Sequence, residues 1–271
     1  MNLREILVKS IQKKCLGSLQ VKVDRFIKAA EDEESVSSFS VVTLENSAIG
    51  ISYNLFHRDP AGMKRYRLWD LKSVIGKQAG EVMELFLSED PLERTAGLAV
   101  LNALSQDYMR KNPGVYRTDF ESDIIDLIKP DTKTTVGLVG YFSPMIGSLM
   151  KLVGEVIVVE KEESLLAGSY PFTMTSDPAE LRRCDKVLMT ATTVLNDSLA
   201  GLLRFCTDAD LVVVMGPSAG FLPDALFDIG VHVVGGTYID DPKLFLDRFE
   251  SGIKWDNSTR KVWFKKKVVG R

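Results

Sequence analysis

The sequence has few of the residues that build metal centres and disulfide frameworks. Its 271 residues include three cysteines and two histidines. The cysteines, Cys15, Cys184 and Cys206, lie far apart and form no Cys-x-x-Cys pair, so neither a disulfide framework nor a zinc finger is predicted. No serine–histidine–acid order or metal-ligand spacing is visible either. Cysteines of this kind are typical of the reducing cytosol.

Strong net charge and long apolar runs are also missing. The net charge is −3, so no global field attracts the chain to nucleic acid or to an anionic membrane. The basic run from Lys265 to Lys267 is short, as in a solvated tail. No segment reaches the roughly 18 unbroken apolar residues of a membrane span, and no signal peptide is visible. We expect a cytoplasmic protein without nucleic-acid or membrane partners, and a homodimer on base rates alone.

The first part of the chain predicts a smaller α+β domain. Leu3, Ile6 and Leu7 fall at helical spacing and predict an opening helix. Strands are predicted at 38–44, 48–55 and 21–27, and helices at about 77–87 and 91–109, with Pro91 in a first turn. A hairpin followed by helices is an α+β arrangement. We place this domain at 1–115, followed by a connector at 116–132.

The remainder, 133–271, predicts an α/β domain with a Rossmann-like parallel sheet. Its short strands are nearly all apolar and rich in valine, as expected when helices cover both sheet faces. Alternating strands and helices indicate a parallel sheet with right-handed crossovers. Strands are predicted at 134–139, 155–159, 184–189, 211–215 and 231–234, helices at 144–152, up to about 205, up to 230 and at 242–250, and a terminal hairpin at 255–269.

In such a sheet, ligands bind outside the carboxyl ends of the strands. After the first strand, Gly140 is followed by Ser143, which can cap the next helix, and Pro144, which suits its first turn. The helix N-terminus favours an anion. Glu160 ends the second strand, where a dinucleotide-binding fold places the acid that holds a ribose hydroxyl. Alternatively, these residues only shape a turn and a solvated strand end.

The glycine pattern of a dinucleotide-binding fold is broken. Counting from Gly140, the second and third glycines are replaced by Phe142 and Met145. The side chain of Phe142 obstructs the close approach of a pyrophosphate. We therefore do not expect ordinary NAD binding.

Two further loops carry polar groups. Thr190, Thr192 and Asn196 follow the third strand, and their hydroxyl and amide groups can bind a phosphate or a carboxylate. Capping needs fewer polar residues than this loop has. Gly216-Pro217-Ser218 follows the fourth strand and predicts a rigid turn with exposed backbone N–H groups that resembles an anion nest.

Several other polar residues leave two interpretations open. His232 lies in an apolar run and is interpreted as a core histidine, whereas His57 could face a cleft. Asn102 interrupts an apolar helix and either bonds across a domain interface or faces water. Asp240 and Asp241 could bind a metal, but an Asp-Pro pair more often starts a helix.

The segments VGLVGYFSPMIG, EVIVVEKE, LMTATTVLNDSLAGLL and VVVMGPSAGFLPDALFDIGVHVVGG, with ERTAGLAVLNALSQ upstream, resemble a prokaryotic family named "putative heavy-metal chelation domain". The resemblance covers nearly the whole chain. It implies an N-terminal domain similar to that of enolase, a Rossmann-like C-terminal domain and a site between them. It implies no enolase activity, because the catalytic barrel is absent. The residues that match its motifs are Asn102, Gly140, Ser143, Pro144, Glu160, Thr190, Thr192, Asn196, Gly216, Pro217 and Ser218.

Three functional hypotheses follow. The first is binding of a small anionic or metal-chelating ligand in the interdomain cleft, with any metal meeting oxygen ligands or arriving already held by a small molecule. The second is an enzyme that uses a nucleotide-like or methyl-donor cofactor anchored by Glu160. The third is a non-catalytic metabolite sensor.

Overall fold

The computed structural model describes residues 2–28 and 38–266, and within them the chain forms two sheets. A three-stranded antiparallel sheet belongs to the first part of the chain, and an eight-stranded, mostly parallel sheet belongs to the second. The predicted fold class, a Rossmann-like sheet preceded by a smaller α+β part, is confirmed. Within the described ranges, no helix has the length and apolar character needed to cross a membrane.

The small sheet has the strand order β1-β2-β3 and confirms the predicted hairpin and third strand. Its strands are β1 (Val23–Ile27), β2 (Phe39–Leu44) and β3 (Ile49–Tyr53). The helices that accompany it are α1 (Leu3–Lys14), α2 (Pro60–Leu68), α3 (Ala79–Met83) and α4 (Pro91–Lys111). The helix predicted at 77–87 consists of α3 and a 3₁₀ turn, and α2 was not predicted.

Helix α4 is the central element of the molecule. Its N-cap is Asp90, whose carboxylate accepts a hydrogen bond from the Leu92 N–H at 2.9 Å, and Pro91 lies in its first turn as predicted. Most of its residues between Leu92 and Asp107 are buried. This burial extends around the helix because α4 contacts β2 and β3 of the small sheet and also loops of the large sheet.

The large sheet has the strand order β4-β11-β10-β9-β8-β5-β6-β7. Its strands are β4 (Thr118–Asp119), β5 (Thr135–Val139), β6 (Glu155–Val159), β7 (Thr173–Thr175), β8 (Lys186–Thr190), β9 (Leu211–Met215), β10 (Val233–Ile239) and β11 (Thr259–Lys265). The six strands from β7 to β10 are parallel and follow the order of a doubly wound dinucleotide-binding sheet. The strand order therefore reverses between β5 and β8, and a crevice is expected there.

The helices of this part are α5 (Ile124–Ile128), α6 (Ser143–Leu149), α7 (Glu163–Leu166), α8 (Thr192–Leu195), α9 (Leu199–Leu203), α10 (Asp224–Asp228) and α11 (Pro242–Glu250). The single helix predicted after β8 is wrong: it is divided into α8 and α9 at Asp197, which has a φ of 61°. Asp241 caps α11 and Asp240 pairs with Arg260, which confirms the helix-start interpretation of these two residues.

The predicted terminal hairpin at 255–269 is also wrong in its pairing. Strand β11 pairs antiparallel with β10 rather than with another part of its own segment. A 3₁₀ turn at Asp256–Ser258 replaces the predicted hairpin turn. Residues 267–271 of this prediction lie outside the described ranges.

His232 is not a core histidine, because β10 begins one residue later and the side chain is exposed. Its Nδ1 nevertheless accepts a hydrogen bond from the Val212 N–H at 2.9 Å, beside a backbone bond to the Val212 carbonyl. Partial burial lowers the pKa of His232, and the charges of Lys266 and Lys186 lower it further. The neutral ring is therefore the form that the fold stabilises.

We expect this histidine to make stability depend on pH. Because its pKa is lower in the folded chain than in the unfolded chain, its stabilising contribution is complete above about pH 6.5 and is lost as the pH falls through the folded value. His57, whose pKa is also lowered, contributes in the same direction. Urea unfolding between pH 5 and 8 should show a smaller fall in the unfolding free energy for His232→Gln than for the wild type. An unchanged slope would contradict the prediction.

Candidate functional site

A cavity of about 460 Å³ lies at the carboxyl ends of β5, β6, β8 and β9, beside the point where the strand order reverses. We call it the site cavity. The loops after these four strands form most of its wall, and Phe39, Tyr53 and Arg58 from the N-terminal part complete it. Eight of the eleven sequence-predicted binding residues line it: Gly140, Glu160, Thr190, Thr192, Asn196, Gly216, Pro217 and Ser218. Pockets of this size and position commonly hold small molecules.

Ser143 and Pro144 do not line the site cavity. They are the first two residues of α6, and the predicted cap by Ser143 is wrong, because the cap position is Phe142, whose side chain makes no capping bond. The helix begins one residue earlier than predicted, so the Ser143 hydroxyl lies within it. The Phe142 ring lies in the cavity wall, 3.8 Å from where a Cβ on Gly140 would stand.

Asn102 lies beneath the site cavity rather than in its wall. The residue is 1% exposed, and its Nδ2 donates hydrogen bonds to the carbonyls of Ile51 at 2.7 Å and Ser218 at 2.9 Å. It therefore joins α4, the small sheet and the loop after β9. Of the two interpretations of Asn102 from the sequence, the structure agrees with a hydrogen bond across the interface and not with a side chain that faces water.

The loop after β9 is part of the contact between the two halves of the molecule, and two of its backbone N–H groups are bonded within the protein. Gly216 donates its N–H to Gly235 at 3.0 Å, and Ala219 donates its N–H to Gly216 at 2.9 Å. The buried Ser218 Oγ accepts the N–H of Tyr53 at 2.8 Å. The prediction of exposed N–H groups is therefore wrong for Gly216 and Ala219. The bonds of Gly216 and Ser218 could not be predicted from the sequence, because their partners Gly235 and Tyr53 come from distant segments.

The loop after β8 holds its polar groups by local hydrogen bonds. Thr190 Oγ1 lies 3.2 Å from the Oγ1 of Thr192, which donates to it, and also accepts the Thr192 N–H at 3.4 Å. Asn196 Oδ1 accepts the N–H of Ser198 at 3.1 Å and its hydroxyl at 2.7 Å. The orientation of the asparagine amide at the cavity is thereby fixed.

Two buried arginines anchor the end of this loop. Arg4 is 3% exposed and donates from Nε to Asp197 at 2.7 Å. Arg94 donates to the carbonyl of Leu195 at 3.0 Å and places Nη1 3.6 Å from the Asp197 carboxylate. We name Arg4, Arg94 and Asp197 the arginine clasp. It connects α1 and α4 to the residues on both sides of Asn196.

Glu160 lies at the end of β6, where the dinucleotide-binding comparison predicts it. Its Oε1 accepts the backbone N–H groups of Lys161 at 2.7 Å and Glu162 at 3.3 Å. In the part of the chain that the structure describes, no arginine or lysine nitrogen lies within 4.0 Å of its carboxylate, whereas Glu162 pairs with Arg58. Glu160 is thus an ion without a cationic partner in the cavity wall.

The small sheet contributes groups that the sequence did not identify. Tyr53 ends β3 and places its Oη 2.9 Å from Nδ1 of His57, whose Nδ1 also lies 3.2 Å from the Asn54 carbonyl. Burial raises the pKa of Tyr53 above its usual value, the Arg58 guanidinium lowers it, and the Glu160 carboxylate raises it. His57 does not line the cavity itself but contacts Tyr53, which does. Of these two residues, the sequence analysis had named His57 as one that could face a cleft.

Thiols and metal-ligand clusters are absent from the site. All three cysteines are buried and free, and burial raises the pKa of Cys15 and Cys184 to about 12 and of Cys206 to about 11. Among residues 2–28 and 38–266, no group of three His, Cys, Asp or Glu could hold a metal ion. Direct binding of a soft metal by thiolates is therefore not supported by the residues of this structure.

Comparison with protein families identifies the relatives of this fold. A family model, DUF364, described as "putative heavy-metal chelation", matches residues 123–268, which is more than half of the chain. The chain belongs to this family. A second model with the same description, DUF4213, matches residues 36–105. The family resemblance found in the sequence motifs is confirmed.

Three proteins are similar to this chain over most of its length. An uncharacterised protein of Methanocaldococcus jannaschii is 27% identical over 253 residues, which are 89% of this chain and 90% of that protein. A DUF364 structure of unknown function from Pyrococcus horikoshii matches with a TM-score of 0.72 and 20% identity over 96% of this chain and 100% of that one. A DUF364 structure of unknown function from Desulfitobacterium hafniense matches with a TM-score of 0.72 and 18% identity over 97% of this chain and 100% of that one. These two structural matches show the fold alone.

Proposed function

We propose that this DUF364 protein binds a small anionic ligand, or a metal ion already held by such a ligand, in the site cavity between its two parts. The proposal is supported by the hydrogen bonds that the polar side chains of the cavity wall already make within the protein. Several of its polar side chains already accept hydrogen bonds from the protein, so the groups they have left are donors. Donors bind the oxygen atoms of a carboxylate or a phosphate.

The large sheet supplies two such donors. Asn196 uses Oδ1 to accept two bonds from Ser198, which leaves the Nδ2 hydrogens for a ligand. Thr190 Oγ1 accepts from Thr192, which leaves its own hydroxyl hydrogen. Both residues line the site cavity on the loop after β8.

The small sheet supplies a third donor. The Asn54 carbonyl can only accept, so Nδ1 of neutral His57 carries its hydrogen there. Tyr53 Oη lies 2.9 Å from the same Nδ1 and accepts that hydrogen, and it lies 3.3 Å from Nε2, which in this tautomer is an acceptor. A ligand oxygen in the cavity would compete with Nε2 for the phenol hydrogen. The Arg58 guanidinium at the same wall adds a positive charge, although Glu162 partly neutralises it.

A metal would fit this site only as part of a chelate with a small molecule. The wall offers oxygen and amide groups rather than thiolates or imidazoles, and such groups suit hard cations. A small chelator would present its carboxylates to the donors described above. This form of the proposal agrees with the family description without requiring protein cysteines.

Asn196→Asp tests the proposal, because it keeps the oxygen that accepts from Ser198 and replaces the two donors by a carboxylate oxygen. We expect the wild type to bind citrate in calorimetric titration and the variant to bind it at least about tenfold more weakly. Asn257→Asp, an equal charge change at an exposed residue outside the cavity, should bind as the wild type does. Nickel–citrate should bind like citrate. Binding of Ni²⁺ alone that Asn196→Asp leaves unchanged would contradict the proposal.

A second candidate is an enzyme with a nucleotide-like or methyl-donor cofactor anchored by Glu160. The position of Glu160 at the end of the second parallel strand, lining the site cavity, favours it. The Phe142 ring in the wall argues for a cofactor without a pyrophosphate. In the same titration, this function predicts tighter binding of adenosine than of 2′-deoxyadenosine.

A further inference from the structure

Glu160 is the exception in a wall of donors. Thr190, Asn196 and Tyr53 are left to donate, whereas a carboxylate can only accept. Both hydrogen bonds that Glu160 receives in the described chain reach Oε1, from the two backbone N–H groups that follow it. Its Oε2 receives none there, although it belongs to a residue of the cavity wall. The feature to explain is an acceptor next to donors that attract anions.

An anionic ligand beside this carboxylate would be repelled unless it supplied a hydrogen of its own. A carboxylate that accepts a strong hydrogen bond from a ligand gains affinity for it, and one left unpaired next to an anion loses affinity. We propose, on the basis of the proposed function, that the ligand is a small carboxylate with a hydroxyl or ammonium group on a neighbouring carbon, and that Glu160 selects for that group.

The surroundings of Glu160 hold it ready for this role. Its main chain continues the sheet, donating its N–H to the Thr175 carbonyl at 2.9 Å, and its Oε1 is held by the N–H groups of Lys161 and Glu162. A group fixed in this way loses little conformational freedom when a ligand binds.

Glu160 and the donor side chains line the same cavity. Tyr53 and Glu160 both line the site cavity, and the charge of the Glu160 carboxylate contributes to raising the pKa of Tyr53. Arg58 does not neutralise Glu160, because its ion pair is with Glu162. A ligand that contacts both residues of this wall would offer an acceptor to Tyr53 and a donor to Glu160.

Malate, aspartate and succinate test this inference, because they share a four-carbon dicarboxylate skeleton. Malate carries a hydroxyl, aspartate an ammonium, and succinate neither. We expect calorimetric titration of the wild type to show malate or aspartate binding about tenfold to a hundredfold more tightly than succinate, the gain of one hydrogen bond to a charged group. Comparing malate with aspartate identifies whether Glu160 accepts its hydrogen bond from a hydroxyl or from an ammonium group.

Glu160→Gln should abolish this preference while succinate binds as well as before or better, since a repelling charge is removed. Glu163→Gln, the same change at an exposed residue of α7 outside the cavity, should keep it. If the three acids bind equally and Asn196→Asp weakens all of them, the inference on Glu160 is wrong and the proposed anion site stands. If none of the three binds although citrate does, the inference on Glu160 is wrong and the proposed anion site stands; if citrate does not bind either, both are overturned.

Discussion

Replacing Gly50 by alanine is expected to destabilise the protein strongly, because the added methyl group would overlap with helix backbone. Gly50 lies in β3, where the small sheet meets α4. A Cβ at this position would stand 1.9 Å from the carbonyl oxygen of Ala99 and 2.5 Å from the backbone nitrogen of Ala103. Both atoms are helix backbone, so no side chain can turn aside. We expect the unfolding free energy to fall by more than about 3 kcal/mol.

Gly201→Ala is the matched control for this substitution. Gly201 lies in α9, and a Cβ there would meet nothing within 4 Å, so alanine should leave stability unchanged or raise it by up to about 1 kcal/mol. Urea unfolding followed by circular dichroism measures both variants. If Gly50→Ala unfolded at the wild-type urea concentration, β3 and α4 would not approach each other as closely as in this structure.

The parts of the candidate site that could be predicted from the sequence are those fixed by strand order. Parallel strands place their carboxyl ends at one edge, so the residues after each apolar run converge, as Gly140, Glu160, Thr190 and Gly216 do. The pattern identified these loops without any knowledge of tertiary contacts. The error in an element boundary is one residue at Ser143 and two residues at His232, because periodicity does not fix a boundary to a single position.

The rest depends on contacts between distant segments. Phe39, Tyr53 and Arg58 reach the site cavity because α4 holds the small sheet against the loop after β9. In the sequence, Phe39 and Tyr53 are ordinary strand residues. Asn102 was conspicuous because an amide in an apolar helix needs partners, but its partners could not be named. In the same way, the sequence predicted a free N–H group at Gly216, whereas in the structure this group donates to the carbonyl of Gly235 in β10.

The second large effect is expected at the arginine clasp. Asp197→Asn keeps the size of the side chain and a residue type that tolerates its φ of 61°, but it removes the negative charge between Arg4 and Arg94. Leaving buried cations without their carboxylate is costly. The exposed Glu89 also contacts both arginines and retains part of the compensation. Because the Asp197 side chain is also 39% exposed, we expect a loss of about 2 kcal/mol in urea unfolding.

This loss has a second consequence, because Asp197 follows the proposed ligand-binding Asn196. In Asp197→Asn, the loop between α8 and α9 loses its ion pairs with α1 and α4 and keeps the Arg94–Leu195 hydrogen bond, so citrate affinity should fall together with stability. Asp208→Asn, which removes a charge from an exposed residue without an ion pair in the described chain, should change neither. A wild-type unfolding free energy for Asp197→Asn would mean that Glu89 and the backbone carbonyls around Arg4 neutralise the two arginines by themselves. Weaker citrate binding with unchanged stability would instead assign Asp197 to the ligand site and not to the support of the fold.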